Sequence, residues 1–130
     1  MNDFLIIASF ILLLYTFYPK IMIKFNKNVK NVSGEEAKKL ISSNKDMLIL
    51  DVRTKGEYLR GHLKGSKLIP SSELSSRINE LEKYRGKPIL VHCASGGRSP
   101  IAVKTLLKNN FSNIYHMNRG LTGWTGGFVK

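Results

Sequence analysis

Apolar runs of very different length punctuate the chain, and their lengths predict different elements. The first, FLIIASFILLLYTFY from Phe4 to Tyr18, carries no charge. Wound as a helix it is about 22 Å long, and continuation through Pro19 to Ile23 brings it to about 30 Å, the thickness of a hydrocarbon core. Residues 1–23 are therefore read as one transmembrane anchor, with Lys20 snorkelling and with Tyr15, Tyr18 and Phe25 at the interface. The later runs are too short for helices. Met47 to Leu50, ending at Asp51, and Lys87 to His92 read as strands buried on both faces; Ile114 to Met117 reads as a last strand and Lys67 to Pro70 as a weak one.

Between the strands the period changes. Ser33 and Glu36 stand at capping-box spacing, and Ala37, Leu40 and Ile41 share a helix face running to about Ser42. Glu73 to Tyr84 places Leu74, Ile78 and Leu81 on one helical face, and Arg98 to Asn109 does the same with Ile101, Ala102, Thr105 and Leu106. Strands alternating with helices over short connections predict an α/β domain: a parallel sheet with helices on both faces, spanning 32–130. KFNKNVKN, residues 24–31, reads as a basic juxtamembrane linker attracted to anionic headgroups.

Charge changes this picture little. The net charge is +12, but outside 20–30 the lysines are spread over loops and helix faces without interleaved aromatics, which argues against nucleic acid as a partner. The membrane accounts for the basic segment instead. A cleaved signal peptide fits poorly, because the chain starts Met1-Asn2-Asp3 and leaves the apolar run through Thr-Phe-Tyr-Pro-Lys, without a basic start or a small-x-small site. A buried core helix would need a partner layer that the remaining sequence does not require. Lys20, Lys24, Lys27 and Lys30 all follow the run, so the bulk of the chain is expected on the cytosolic side. The chain has one cysteine and three histidines, His62, His92 and His116, none at metal-ligand spacing, so no metal site is expected.

That one cysteine, Cys93, follows the apolar strand and lies within HCASGGRSP, residues 92–100. In open α/β sheets ligands sit beyond the carboxyl ends of the strands, where Cys93 falls. A Gly-rich turn from strand to helix wraps backbone N–H groups around a point that the helix end also makes positive, so an anion is favoured there. The expected consequence is a Cys93 thiol pulled below its free value, with Gly96 and Gly97 supplying the unusual backbone, Arg98 a positive charge and Ser99 a donor. Pro100 suits the first turn of the helix. The plain alternative is a small buried hydrophobe beside an ordinary turn.

LILDVRTKGEYLRGHLKGSKLIPSSEL at 48–74, KPILVHCASGGRS at 87–99 and RGLTGWTGGF at 119–128 together resemble a single-domain rhodanese, a thiosulfate-type sulfurtransferase, over roughly Val32 to Val129. The resemblance implies a small α/β domain around a parallel sheet and a Cys93 that carries a persulfide during turnover. Ala94, Ser95, Gly96, Gly97, Arg98 and Ser99 would form the substrate- and anion-binding loop. It further implies small sulfur anions, thiosulfate or persulfides, as donors, and a thiol, free or protein-borne, or cyanide as acceptor; no organic cofactor is required. The tail departs from the family, with Arg119-Gly120 where Gly-Gly is usual and Gly127-Phe128-Val129 at the close, which bears on tail packing and not on chemistry.

Other residues admit plainer roles. Asp51 and Arg53 could support the site, although Arg53 and Glu57, four apart, suit a structural ion pair. His62 suits a structural hydrogen bond, His92 one face of its strand, and Trp124 with Leu121 a packing anchor. Two rival functions are a catalytically silent tethered module and a cysteine phosphatase. The phosphatase signature has five residues between its cysteine and arginine, whereas four separate Cys93 from Arg98, leaving a loop tight for a tetrahedral oxyanion but adequate for one sulfur atom.

Overall fold

A computed structural model describes residues 2–130. Helix α1 (Asp3–Phe25) leads into strand β1 (Val29–Val32), helix α2 (Gly34–Ser43), β2 (Leu48–Asp51), the short helix α3 (Lys55–Leu59) and β3 (Lys67–Leu68). A 3-10 segment (Ile78–Tyr84) precedes β4 (Ile89–His92), α4 (Ser99–Lys108), β5 (Ile114–Met117) and a closing 3-10 turn (Gly120–Gly123). The sheet is parallel throughout, in the order β1-β5-β4-β2-β3. Its central strands β2 and β4 are buried along their whole length.

Alternation along those strands divides the core in two. Leu48, Leu50, Ile89, Val91 and Ile114 point to one face, where Ala102, Val103 and Leu106 of α4 and Leu81 of the 3-10 segment cover them. Ile49, Leu90 and Met117 point to the other, against Ala37 of α2 and, from the closing turn, Leu121 and Trp124. Each fully buried aliphatic side chain contributes about 1.5–3 kcal/mol. Helices thus cover both faces, as the alternation predicts, and Trp124 packs as an anchor with its indole N–H donating to Gly127 O at 3.2 Å.

Three expectations are corrected. The stretch 24–31, read as linker, supplies most of β1: an edge strand whose Val32 is buried while Lys30 and Asn31 remain exposed, so its sequence looks polar. The segment 73–84 is a turn followed by 3-10 helix instead of one α-helix, although Leu74 and Leu81 are buried as its pattern requires. The helix α3 was not anticipated, yet Thr54 and Glu57 form a complete capping box at its start.

Helix α1 behaves as two parts. From Phe4 to Tyr18 its large side chains are exposed, and the hydroxyls of Ser9 and Thr16 donate to the carbonyls of Leu5 and Leu12, both at 2.8 Å, so they need no water. Among the described residues it is the one helix long and apolar enough to cross a membrane. Its last turns belong to the domain: Pro19 is buried, and Ile23 joins the core cluster beside α4. The apolar helix and the folded domain therefore share residues 19–25, where the sequence suggests a boundary at 23.

Candidate active site

Strand β4 ends at His92, and the chain turns through Cys93–Arg98 before α4 begins at Ser99. Cys93 is 1 % exposed. The Gly96 N–H donates to Sγ at 3.1 Å, and Sγ lies 3.4 Å from Ser99 Oγ. Burial pushes the thiol up, but the Ser99 hydroxyl and the N–H groups of Ser99, Arg98 and Gly96 outweigh it and bring Cys93 below its ordinary value. Pro100 sits in the first turn of α4, where its missing N–H leaves no gap.

The two glycines differ. Gly96 has φ +95°, and a Cβ there would lie 2.0 Å from Asn118 O, so both conformation and space demand glycine. Gly97 has no positive φ and faces open space, which corrects the expectation that both glycines shape the cradle. Gly120, noted in the sequence only for the tail, does: its φ is +58° and a Cβ would lie 2.5 Å from Cys93 O. The closing turn grips the loop there, with Leu121 N–H donating to Cys93 O at 3.1 Å and Thr122 N–H to Ala94 O at 3.2 Å. The Arg-Gly departure from Gly-Gly leaves this grip intact, because the required glycine is the second.

Arg98 does not act on Sγ as a free cation. Its guanidinium makes a two-pronged pair with Glu57 of α3, at 2.5 and 2.9 Å. That pairing holds the Glu57 carboxyl down at about 2. The expected Arg53–Glu57 pair is therefore absent from the structure: Arg53 instead chelates Asp51 through Nε and Nη2 at 2.8–3.0 Å and donates to Gly61 O at 2.8 Å. Asp51 is fully buried and Arg53 nearly so. Both lie beneath the site, at the end of the strand beside β4, and neither bonds to Cys93. Sequence spacing favoured the nearer partner; the Thr54-x-x-Glu57 capping signature was the signal that Glu57 sits at a helix start instead.

The remaining histidines are structural or buried. His62 stacks on Tyr58 at 3.7 Å and its Nδ1 meets Tyr58 O at 2.8 Å. His92 is buried, kept below its ordinary value by loss of solvent, with Nδ1 3.3 Å from Cys93 O. His116 touches Ser99, a contact that sequence reasoning missed.

Residues 33–126 match the model of the rhodanese-like domain. The chain belongs to the rhodanese-like family. It is 32% identical over 99 residues to the uncharacterized protein YibN of Escherichia coli, covering 75% of this chain and 68% of that one. To the thiosulfate sulfurtransferase GlpE of Pseudoalteromonas translucida it is 27% identical over 101 residues, 78% and 93% of the two chains. The crystal structure of a rhodanese-like domain protein from Staphylococcus aureus superposes with a TM-score of 0.68 at 28% identity, covering 78% of this chain and 98% of the other. The rhodanese-like domain thus accounts for 33–126, while the exposed apolar helix precedes it.

Proposed function

We propose that this rhodanese-like protein is a membrane-anchored sulfurtransferase that carries sulfane sulfur on Cys93. The observation that carries the reading is a buried thiol met by converging polar groups: Gly96 N–H donates to Sγ at 3.1 Å, Ser99 Oγ lies 3.4 Å away, and the thiol is drawn below its ordinary value despite burial. The relative named thiosulfate sulfurtransferase supports the same chemistry.

In the first half-reaction the Cys93 thiolate attacks the outer sulfur of thiosulfate. A new S–S bond forms, the old one breaks, and its electron pair leaves with sulfite. A persulfide or polysulfide donor reacts alike, expelling a thiolate. The loop N–H groups face whichever anion is present, thiolate or persulfide, without reorganisation. In the second half-reaction an acceptor thiolate, or cyanide, takes the terminal sulfur and returns Cys93 as thiolate. The chain has no second cysteine to resolve the persulfide internally, so the acceptor must come from outside. The lysines after the apolar run support a single-pass anchor with the domain on the cytosolic side.

Steady-state kinetics test this. Sulfite release from thiosulfate with cyanide as acceptor should give the parallel lines of a ping-pong mechanism and vanish in Cys93→Ala. Equal rates in the two proteins would refute the reading in favour of a silent tethered module.

A further inference from the structure

His116 is a buried titratable group touching the loop that the sulfur-transfer scheme leaves without a task. It lies on β5, opposite Val91 of β4 on one side and Asn31 of the edge strand β1 on the other, and is 3 % exposed. Its Nδ1 is 3.0 Å from Asn31 Oδ1, and its Nε2 is 2.7 Å from Ser99 Oγ. An amide oxygen only accepts, so Nδ1 carries the proton and Nε2 presents its lone pair. Ser99 therefore donates its hydroxyl to Nε2, which leaves its oxygen to accept from the Cys93 thiol at 3.4 Å. Every bond in the chain Cys93, Ser99, His116, Asn31 then points the same way.

We propose that His116, oriented by Asn31, is the base that takes the Cys93 proton through the Ser99 hydroxyl. The inference rests on Cys93 being the nucleophile. The S–H bond breaks and its proton joins Ser99 Oγ, while the proton already on Ser99 passes to His116 Nε2. Ser99 ends as it began, no electrons change owner, and the product is a thiolate with an imidazolium two hydrogen bonds away. The logic is that of a base held in one tautomer by a third group, with a hydroxyl inserted. A thiol only 1 % exposed has little direct access to solvent as a proton acceptor, which gives the relay its purpose.

Burial lowers His116 to about 4, so the ring is unprotonated at neutral pH with its lone pair free; alone it is a weak base, and a proton on it needs an anion close by. A pocket of about 420 Å³ beside it is lined by Asn31, Ser95, Asn118 and, from α1, Lys20. Lys20 is the cation that α1 brings to this side, Val91 of β4 is uncharged, and on the loop Arg98 is occupied by Glu57. Asp51 is bound to Arg53. The thiolate is thus the counter-charge that makes the imidazolium acceptable.

The test is the pH dependence of iodoacetamide alkylation at Cys93, measured on the full chain in detergent micelles for wild type, His116→Gln and His116→Ala. Iodoacetamide needs no sulfur donor, so the result stands apart from success or failure of the sulfurtransferase assay. Both variants should alkylate about tenfold more slowly near pH 6, a shift of about one pH unit, and should meet wild type near pH 10, where a free thiol ionises unaided. Glutamine keeps a polar partner for Ser99 yet cannot take a proton, and it serves where alanine fails to fold. A wild-type profile in folded His116→Gln, or equal slowing at every pH, would overturn the proposal.

Discussion

Two arginine–carboxylate pairs flank the cysteine loop, and they differ in what surrounds them. Arg53 and Asp51 are buried, with side chains 8% and 0% exposed, and three contacts of 2.8–3.0 Å join their side chains. Arg98 and Glu57 sit at the rim, 37% and 28% exposed. A buried pair is costly to assemble and more costly to break, because removing one partner leaves an uncompensated charge in the interior. A rim pair adds little stability, since water screens it. The difference teaches that the first pair holds up the floor of the site, whereas the second braces the loop at little gain in stability.

The comparison breaks most readily at the floor. Arg53→Ala leaves Asp51 buried and alone, and should destabilise the domain by about 3–5 kcal/mol. Thermal or denaturant unfolding checks this; a loss similar to that at Glu57 would erase the distinction. Gly96→Ala comes next, because the positive φ alone costs about 1–3 kcal/mol and a Cβ 2.0 Å from Asn118 O must move the loop or the closing turn. Its alkylation at Cys93 should fall along with its stability.

At the rim, Glu57→Gln should cost about 0–1 kcal/mol, yet slow sulfur loading of Cys93 as the loop loses its brace. The sign of its pH effect is fixed by the depressed carboxyl. With a folded value of about 2 against about 4.3 unfolded, the pair's contribution is complete above pH 4.3 and is lost as pH falls toward 2. Acid titration of wild type beside Glu57→Gln should show a difference that shrinks across that window. A constant difference would mean Glu57 acts as a cap for α3 and not through its charge. The smallest effect belongs to Gly97→Ala, where the new methyl meets open space and stability should change by no more than about 0.5 kcal/mol. A large loss there would contradict the contrast with Gly96.

Legibility followed range. The central strands, α2 with its capping box, the start of α4 and the cysteine loop are written in consecutive residues, so apolar runs and cap spacing reveal them. Strand β1 is hidden because Val29 and Val32 are its only apolar residues and its identity depends on pairing with β5, more than eighty residues away. Arg98 finds Glu57 across 41 positions, and His116 reaches Asn31 across 85. No local pattern encodes those meetings; the fold brings α3 beside the cysteine loop and β1 beside β5. The segment 73–84 shows the reverse limit: its apolar spacing is right, but the turns it forms are tighter than an α-helix.

The central claim, that Cys93 holds sulfur between donor and acceptor, is tested most directly by the intact mass of the full chain in detergent. After thiosulfate without acceptor, the protein should gain the mass of one sulfur atom on the peptide containing Cys93, and cyanide should remove it; Cys93→Ser should never gain it. A folded wild-type chain that stays unmodified with thiosulfate, persulfide and polysulfide donors alike would contradict the account.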